Sequence, residues 1–230
     1  MGICLWCSRA LALAALAGAL AAAAPPAAAG PQGLAGRAFP ATGAIDDFGN
    51  RKGRLPPNWY GSEGLRGYHI HQGQVRVTRG GPIYWRLQSF GADQEAYMTL
   101  VALDPNATSH GLLLKVQRHN WRRGAILVTY DAAAQQVAIL SFTPERREPA
   151  VLARFAQTLA AGDVLGARAL ADGEVRAYVN GVLVGTADAG PVFAHVGGRL
   201  GVWFAGASRA AFDDFGGGTV EADSGGENSG

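Results

Sequence analysis

At 230 residues, with 48% hydrophobic side chains, the chain is long enough to bury a sizeable core and short enough to be one domain with tails. Lys and Arg total 20 against 18 Asp and Glu, a formal charge of +2. That is too little for the long-range field of a nucleic-acid binder, so no nucleic-acid partner is expected. No phosphate-loop, nucleophile-elbow or zinc-protease motif occurs either.

Residues 1–29 read as a secretory signal peptide. Arg9 supplies the positive charge ahead of an Ala/Leu run from Ala10 to Ala24. Pro25, Pro26 and the small residues Ala27, Ala28 and Ala29 follow, and cleavage is expected after Ala29. The apolar run is too short and too Ala-rich for a membrane span. The expectation is therefore a secreted protein, extracellular or periplasmic, with no membrane insertion once the leader is removed. Cys4 and Cys7 both fall inside that leader, so the mature chain is expected to use neither disulfides nor thiols. Residues 30–43 are rich in Gly, Ala and Pro without apolar periodicity, and read as a flexible lead-in.

From residue 44 to 216 short strand-like runs follow one another. Residues 74–78 (QVRVT) alternate apolar and polar side chains, and 83–87 (IYWRL) are rich in strand formers. Residues 96–103 stop at the turn signal Asp104-Pro105-Asn106. Residues 112–117 and 125–130 flank a polar loop as hairpin arms would, and 137–142 follow another polar break. Residues 175–180 and 182–186 meet across Asn180-Gly181, a hairpin signal because both turn positions need positive φ. Residues 200–204 and 210–215 close the series. Such spacing predicts an all-β antiparallel sandwich or barrel rather than alternating βα units. Residues 152–161 (LARFAQTLAA) break the pattern. Leu152, Phe155, Ala156 and Leu159 stand at helical spacing, and pattern alone predicts a helix there. The Gly-rich, acidic residues 217–230 are expected to be a disordered tail.

Three blocks carry a family likeness. Asp46-Asp47-Phe48 is followed by Leu55 and Asn58-Trp59; Gly162-Asp163-Val164-Leu165-Gly166 is followed by the run from Val175 to Gly181. The third joins Gly198-Arg199-Leu200-Gly201-Val202-Trp203 to Phe212-Asp213-Asp214-Phe215. In order and spacing these blocks resemble the opening, the central hairpin and the closing strands of secreted concanavalin A-like lectin/glucanase modules, the laminin-G-like ones included. Gly49 departs from the pattern by displacing the Asn50-Arg51 pair one position from Phe48. The resemblance implies a two-sheet jelly-roll sandwich over residues 44–216 with first and last strands adjacent. It also makes 152–161 a strand.

The superfamily includes glucanases, and a retaining glycosidase needs two carboxylates about 5–5.5 Å apart. Laminarinase-like relatives carry them as E-x-D-x-E on one strand, where alternate residues share a face. This sequence has no such run, and Glu95, Glu145, Glu148 and Glu174 are scattered at strand ends and loops, where solvated side chains are expected. Asp46, Asp47, Asp213 and Asp214 would be gathered by the implied fold; an all-oxygen cluster suits Ca²⁺, so a structural calcium is the cofactor to consider. The alternative is that these acids face solvent. Trp59, Tyr60, Trp85 and Trp121 are candidates for a sugar-stacking platform. One of Tyr84 and Trp85 must face inward, and Trp203 reads as core. Trp121 sits in the polar loop Arg118-His119-Asn120-Trp121-Arg122-Arg123, which could meet an anionic polymer, a cell surface or a glycan. Its alternative is a tryptophan folded against the sheet. His69 and His71 share a strand face, but no third metal ligand is in sight. The expectation is a monomeric, non-catalytic binding module for carbohydrate or an extracellular polysaccharide. A structural or adhesive module without a small ligand is the alternative, and a glycan-active enzyme the third.

Overall fold

The computed structural model describes residues 37–49, 51–61, 65–146 and 148–221. The expected leader, both cysteines, residues 30–36 of the lead-in and residues 222–230 of the tail lie outside them. In chain order the strands are β1 (Ala44–Asp46), β2 (Trp59–Tyr60), β3 (Tyr68–His71), β4 (Gln74–Val77) and β5 (Gly81–Trp85). Then come β6 (Gln94–Ala102), β7 (Ser109–Val116), β8 (Ala125–Asp131), β9 (Gln136–Phe142) and β10 (Ala150–Ala156). The last are β11 (Val164–Ala169), β12 (Glu174–Val179), β13 (Val182–Asp188), β14 (Arg199–Ala205) and β15 (Ala211–Thr219). No α-helix occurs among the described residues.

The strands build two antiparallel sheets in a jelly-roll sandwich. Sheet A runs β13-β12-β11-β6-β15-β4-β3, with β1 also on β15, and sheet B runs β10-β9-β8-β7-β14-β5-β2. Alternation along each strand sends every second side chain into the shared core. From sheet A these include Ala96, Met98 and Leu100; from sheet B, Leu112, Leu114, Ile126, Val128, Val202 and Phe204.

First and last strands are adjacent, as the resemblance implied. Ala44 pairs with Gly216 and Asp46 with Phe215. The flanking rings close the core edge: Phe48 lies 5.6 Å from Phe212, and Trp59 4.9 Å from Phe215. Residues 150–156 form strand β10 rather than a helix. Its backbone pairs with β9, and Phe155 covers Gly185 of β13 so closely that a Cβ there would lie 2.2 Å from the ring. Pairing and that contact outweigh the modest helix preference of alanine.

Both expected domain boundaries shift outward. β15 continues through Gly217, Gly218 and Thr219, because its ladder with β6 needs backbone and not large side chains; Val220 beyond it is buried. At the other end, residues 37–43 of the expected flexible lead-in form an arm across the outer face of sheet A. Phe39 stacks on Tyr178 at 4.1 Å, above Gly166, where a Cβ would lie 2.3 Å from the ring. Glu95 Oε1 accepts from Ala41 N (2.6 Å), Thr42 N (2.7 Å) and Thr42 Oγ1 (2.8 Å). Arg168 donates to the Arg37 and Ala38 carbonyls at 3.0 and 2.9 Å and bridges to Glu95 Oε2 at 2.6 Å. Both side chains of this ion pair are fully buried.

Candidate ligand-binding face

The alternation that sends Leu112, Ile126 and Val202 inward sends Leu113, Leu127 and Trp203 outward from sheet B, together with Tyr84 and Phe142. This outer apolar cluster is covered by the loop of residues 117–124 between β7 and β8, which folds back over it. Trp121 approaches Phe142 at 4.9 Å and Trp203 at 4.7 Å, while Phe142 and Trp203 stack at 5.2 Å with 14° between planes. Each such ring pair contributes about 0.5–1.5 kcal/mol beyond area burial. Asn120 caps the short 3₁₀ turn Trp121–Arg123, its side chain accepting from Arg122 N at 3.0 Å. Just before it, Arg118 (φ 48°) and His119 (φ 59°) are both left-handed. Two consecutive non-glycine residues in that region cost about 1–3 kcal/mol each, and such strain gathers at sites that use it.

Beside this loop lies a cleft of about 630 Å³, lined by Tyr60, Arg79, Tyr84, Arg118, Trp121 and Trp203 among others. Tyr60 is 43% exposed, and its ring centroid is 5.8 Å from that of His119. Burial pushes the Tyr84 phenol up to about 12, so it stays neutral at physiological pH. Its oxygen accepts from Trp121 N at 3.4 Å, leaving its own proton to donate. Desolvation, reinforced by Arg199 and Arg86, holds the His119 imidazole below its usual range. The positive charge here is thus arginine charge. Arg122 lies 4.5 Å over the Trp121 ring, a cation–π contact. Among the described residues, Arg79, Arg118 and Arg122 have no carboxylate within ion-pair distance, and no Asp or Glu lines the cleft.

The acidic rim is at the β1–β15 junction. Asp46 is buried: Oδ1 accepts from Phe48 N (3.0 Å) and from Arg51, and Oδ2 from Trp59 Nε1 (2.9 Å). Asp47 and Asp214 are exposed. Asp214 stands at a bulge with φ 49°, its N–H donating to Asp213 Oδ1 at 2.8 Å. Partial burial raises the Asp213 carboxyl above its usual value, and the charges of Asp214, Asp47 and Asp46 add to this.

No described protein family matches the chain, and no curated protein sequence does. Solved structures do. A carbohydrate-binding module, CBM66 from Bacillus subtilis, is similar with a TM-score of 0.52 and 18% identity, over 70% of this chain and 94% of that one. A structure reported with endo-acting O-glycanases of the human gut microbiota matches with a TM-score of 0.56 and 11% identity, over 77% of this chain and 100% of that one. β-Agarase A in complex with oligoagarose matches at 0.55 and 9%, over 75% and 88%. The fold is a concanavalin A-like sandwich. At such identities the likeness shows the fold alone.

In this concanavalin A-like sandwich the expected aromatic platform is split. Trp59 and Trp85 are buried, and pack edge-to-face at 5.8 Å in the core. Neither can stack on a sugar. Parity explains it: Ile83 faces inward and so does Trp85 two residues on, which places Tyr84 outside. Tyr60 and Trp121 do reach the cleft, Trp121 half-buried and folded against the sheet. Trp203, expected in the core, is on the outer face beside it, and Arg79 and Arg122 join from different loops. The parity of Leu200, Val202 and Phe204 held the signal for Trp203. At the acidic rim one of the four candidate calcium ligands is already engaged. Arg51 pairs with Asp46 Oδ1, and Trp59 Nε1 donates to its Oδ2. Among the described residues no group of three or more acidic, His or Cys side chains is placed to hold a metal. The four acids converge at one rim, where Asp46 is already bonded to Arg51 and Trp59. His69 and His71 are both exposed on β3.

No helix among the described residues is long and apolar enough to cross a membrane.

Proposed function

We propose that this chain is an exported, non-catalytic carbohydrate-binding module whose ligand lies in the cleft on the outer face of sheet B. The observation that carries this reading is the cleft itself. An exposed ring, Tyr60, a neutral Tyr84 hydroxyl and the loop cations surround one depression on a rigid aromatic base. An aromatic face suits the apolar face of a pyranose, and polar groups around it fix orientation. Among the described residues no Asp or Glu lines the cleft, which supports binding over hydrolysis, since a retaining pair needs two carboxylates there. The fold is compatible with both roles, so the reading rests on the site.

A glycan array, followed by calorimetry on the strongest hit, tests it. Tyr60→Ala is expected to weaken binding about tenfold, equivalent to about 1.4 kcal/mol, while leaving the melting temperature in place because Tyr60 is exposed. A wild-type protein that retains no glycan would overturn the proposal. If that protein also self-associates, the structural or adhesive reading gains. Its support is the outer edge strand β13, where Val182 is 69% and Leu183 50% exposed.

A further inference from the structure

Three depressions run into one another around the loop of residues 117–124. The central cleft shares Arg118 and His119 with a depression of about 460 Å³ that is bounded further by Arg199. On its other side it shares Trp121 and Arg122 with one of about 270 Å³ that adds Arg146. Among the described residues no Asp or Glu lines any of the three. A chain with a formal charge of only +2 has therefore collected five arginines along one track, while Asp46, Asp47, Asp213 and Asp214 gather at the β1–β15 junction.

The placement of Arg122 is the second observation. Phe142 and Trp203 pack against Trp121 at 4.9 and 4.7 Å, and the Arg122 guanidinium lies 4.5 Å above its ring. The ring that could stack on a neutral sugar instead holds a cation in place. A guanidinium fixed this way has lost part of its rotamer freedom before any ligand arrives, which favours bidentate capture of an anionic group. Arg118 is itself left-handed, with a φ of 48°.

We infer that the ligand of this face is an acidic polysaccharide, with carboxylate or sulfate groups of successive sugars held by Arg79, Arg118 and Arg122. This rests on the carbohydrate-binding reading above and adds the chemistry of the sugar. The track is longer than one sugar site because three depressions share its residues, so a polymer fits better than a single acid.

The test compares matched pairs by calorimetry: oligogalacturonate against its methyl ester, and a sulfated galactan against its desulfated form. The first pair reports carboxylate and the second sulfate. At least one charged form is expected to bind about tenfold more tightly than its neutral partner, and to weaken steeply as salt rises. Arg122→Gln and Arg118→Gln are each expected to remove about tenfold. Arg79→Gln lies outside the loop and repeats the test if either loop variant fails to fold. Equal binding of charged and neutral forms, unaffected by salt or by these variants, would overturn the acidic ligand and leave the carbohydrate reading standing. No binding to any saccharide would overturn both. A single-stranded oligonucleotide bound as tightly as the charged glycan would overturn the inference by reducing the site to a general polyanion surface.

Discussion

Replacing Glu95 by Gln probes how the arm is held to sheet A. Glu95 and Arg168 are both fully buried, and five donors converge on the carboxylate: three on Oε1 from Ala41 and Thr42, two on Oε2 from Arg168 Nε (3.0 Å) and the same guanidinium's terminal nitrogen (2.6 Å). A glutamine has one acceptor oxygen and one donor nitrogen. If its oxygen serves the arm, its NH₂ faces a guanidinium; if its oxygen serves Arg168, its NH₂ faces three donors. Either way the buried Arg168 cation loses its counter-charge, at a cost of about 3–5 kcal/mol. In a domain of this size that is roughly 10 °C of melting temperature. Urea denaturation followed by circular dichroism measures the loss, and limited proteolysis reports whether residues 37–43 have come free. A loss under about 1 kcal/mol with the arm still protected would refute the reasoning, showing that the Phe39–Tyr178 stack alone anchors it.

His110 provides a pH dependence. It is fully buried, Nε2 accepts from Asp104 N at 3.2 Å, and burial holds its pKa below the usual 6.5, so the folded state takes it neutral. The unfolded chain then binds the extra proton first. Stability should be intact above 6.5, fall as pH drops through that value, and level off below the folded-state pKa; His110→Gln should flatten this slope in denaturant titrations across the range. At the acidic rim, adding Ca²⁺ or EDTA is expected to leave the melting temperature unchanged, because Arg51 already neutralises Asp46. A calcium-dependent rise of about 3 °C or more in a thermal scan would show that the rim binds the ion after all.

The β-strands were legible because alternation is local, and the meeting of the two Asp-Asp-Phe segments was legible from the family likeness. Face assignment was harder. Trp85 and Tyr84 are neighbours, and only tying the parity to a core residue such as Ile83 says which faces out. The same reasoning applied to Val202 would have placed Trp203 outside. The arm had no local signal, since its partners Glu95, Arg168 and Tyr178 are distant in sequence and its Gly-, Ala- and Pro-rich composition looks like a linker. Residues 152–161 misled by pattern because alanine spacing says nothing about an unpaired edge waiting on β9. The arginine track was partly visible in residues 118–123, but Arg79, Arg146 and Arg199 come to it only through the fold.

The arm and the last strand also meet: Arg37 Nη1 donates to the Glu221 carbonyl at 2.6 Å. Tension entering at one of these ends and leaving at the other would peel the arm and then open the antiparallel β1–β15 ladder one hydrogen bond at a time. A pull between either end and a ligand held on sheet B would instead be transmitted through the thickness of the sandwich. Arg37 and Glu221, which bound the described residues, thus lie together on the sheet A side, away from the arginine track on the outer face of sheet B.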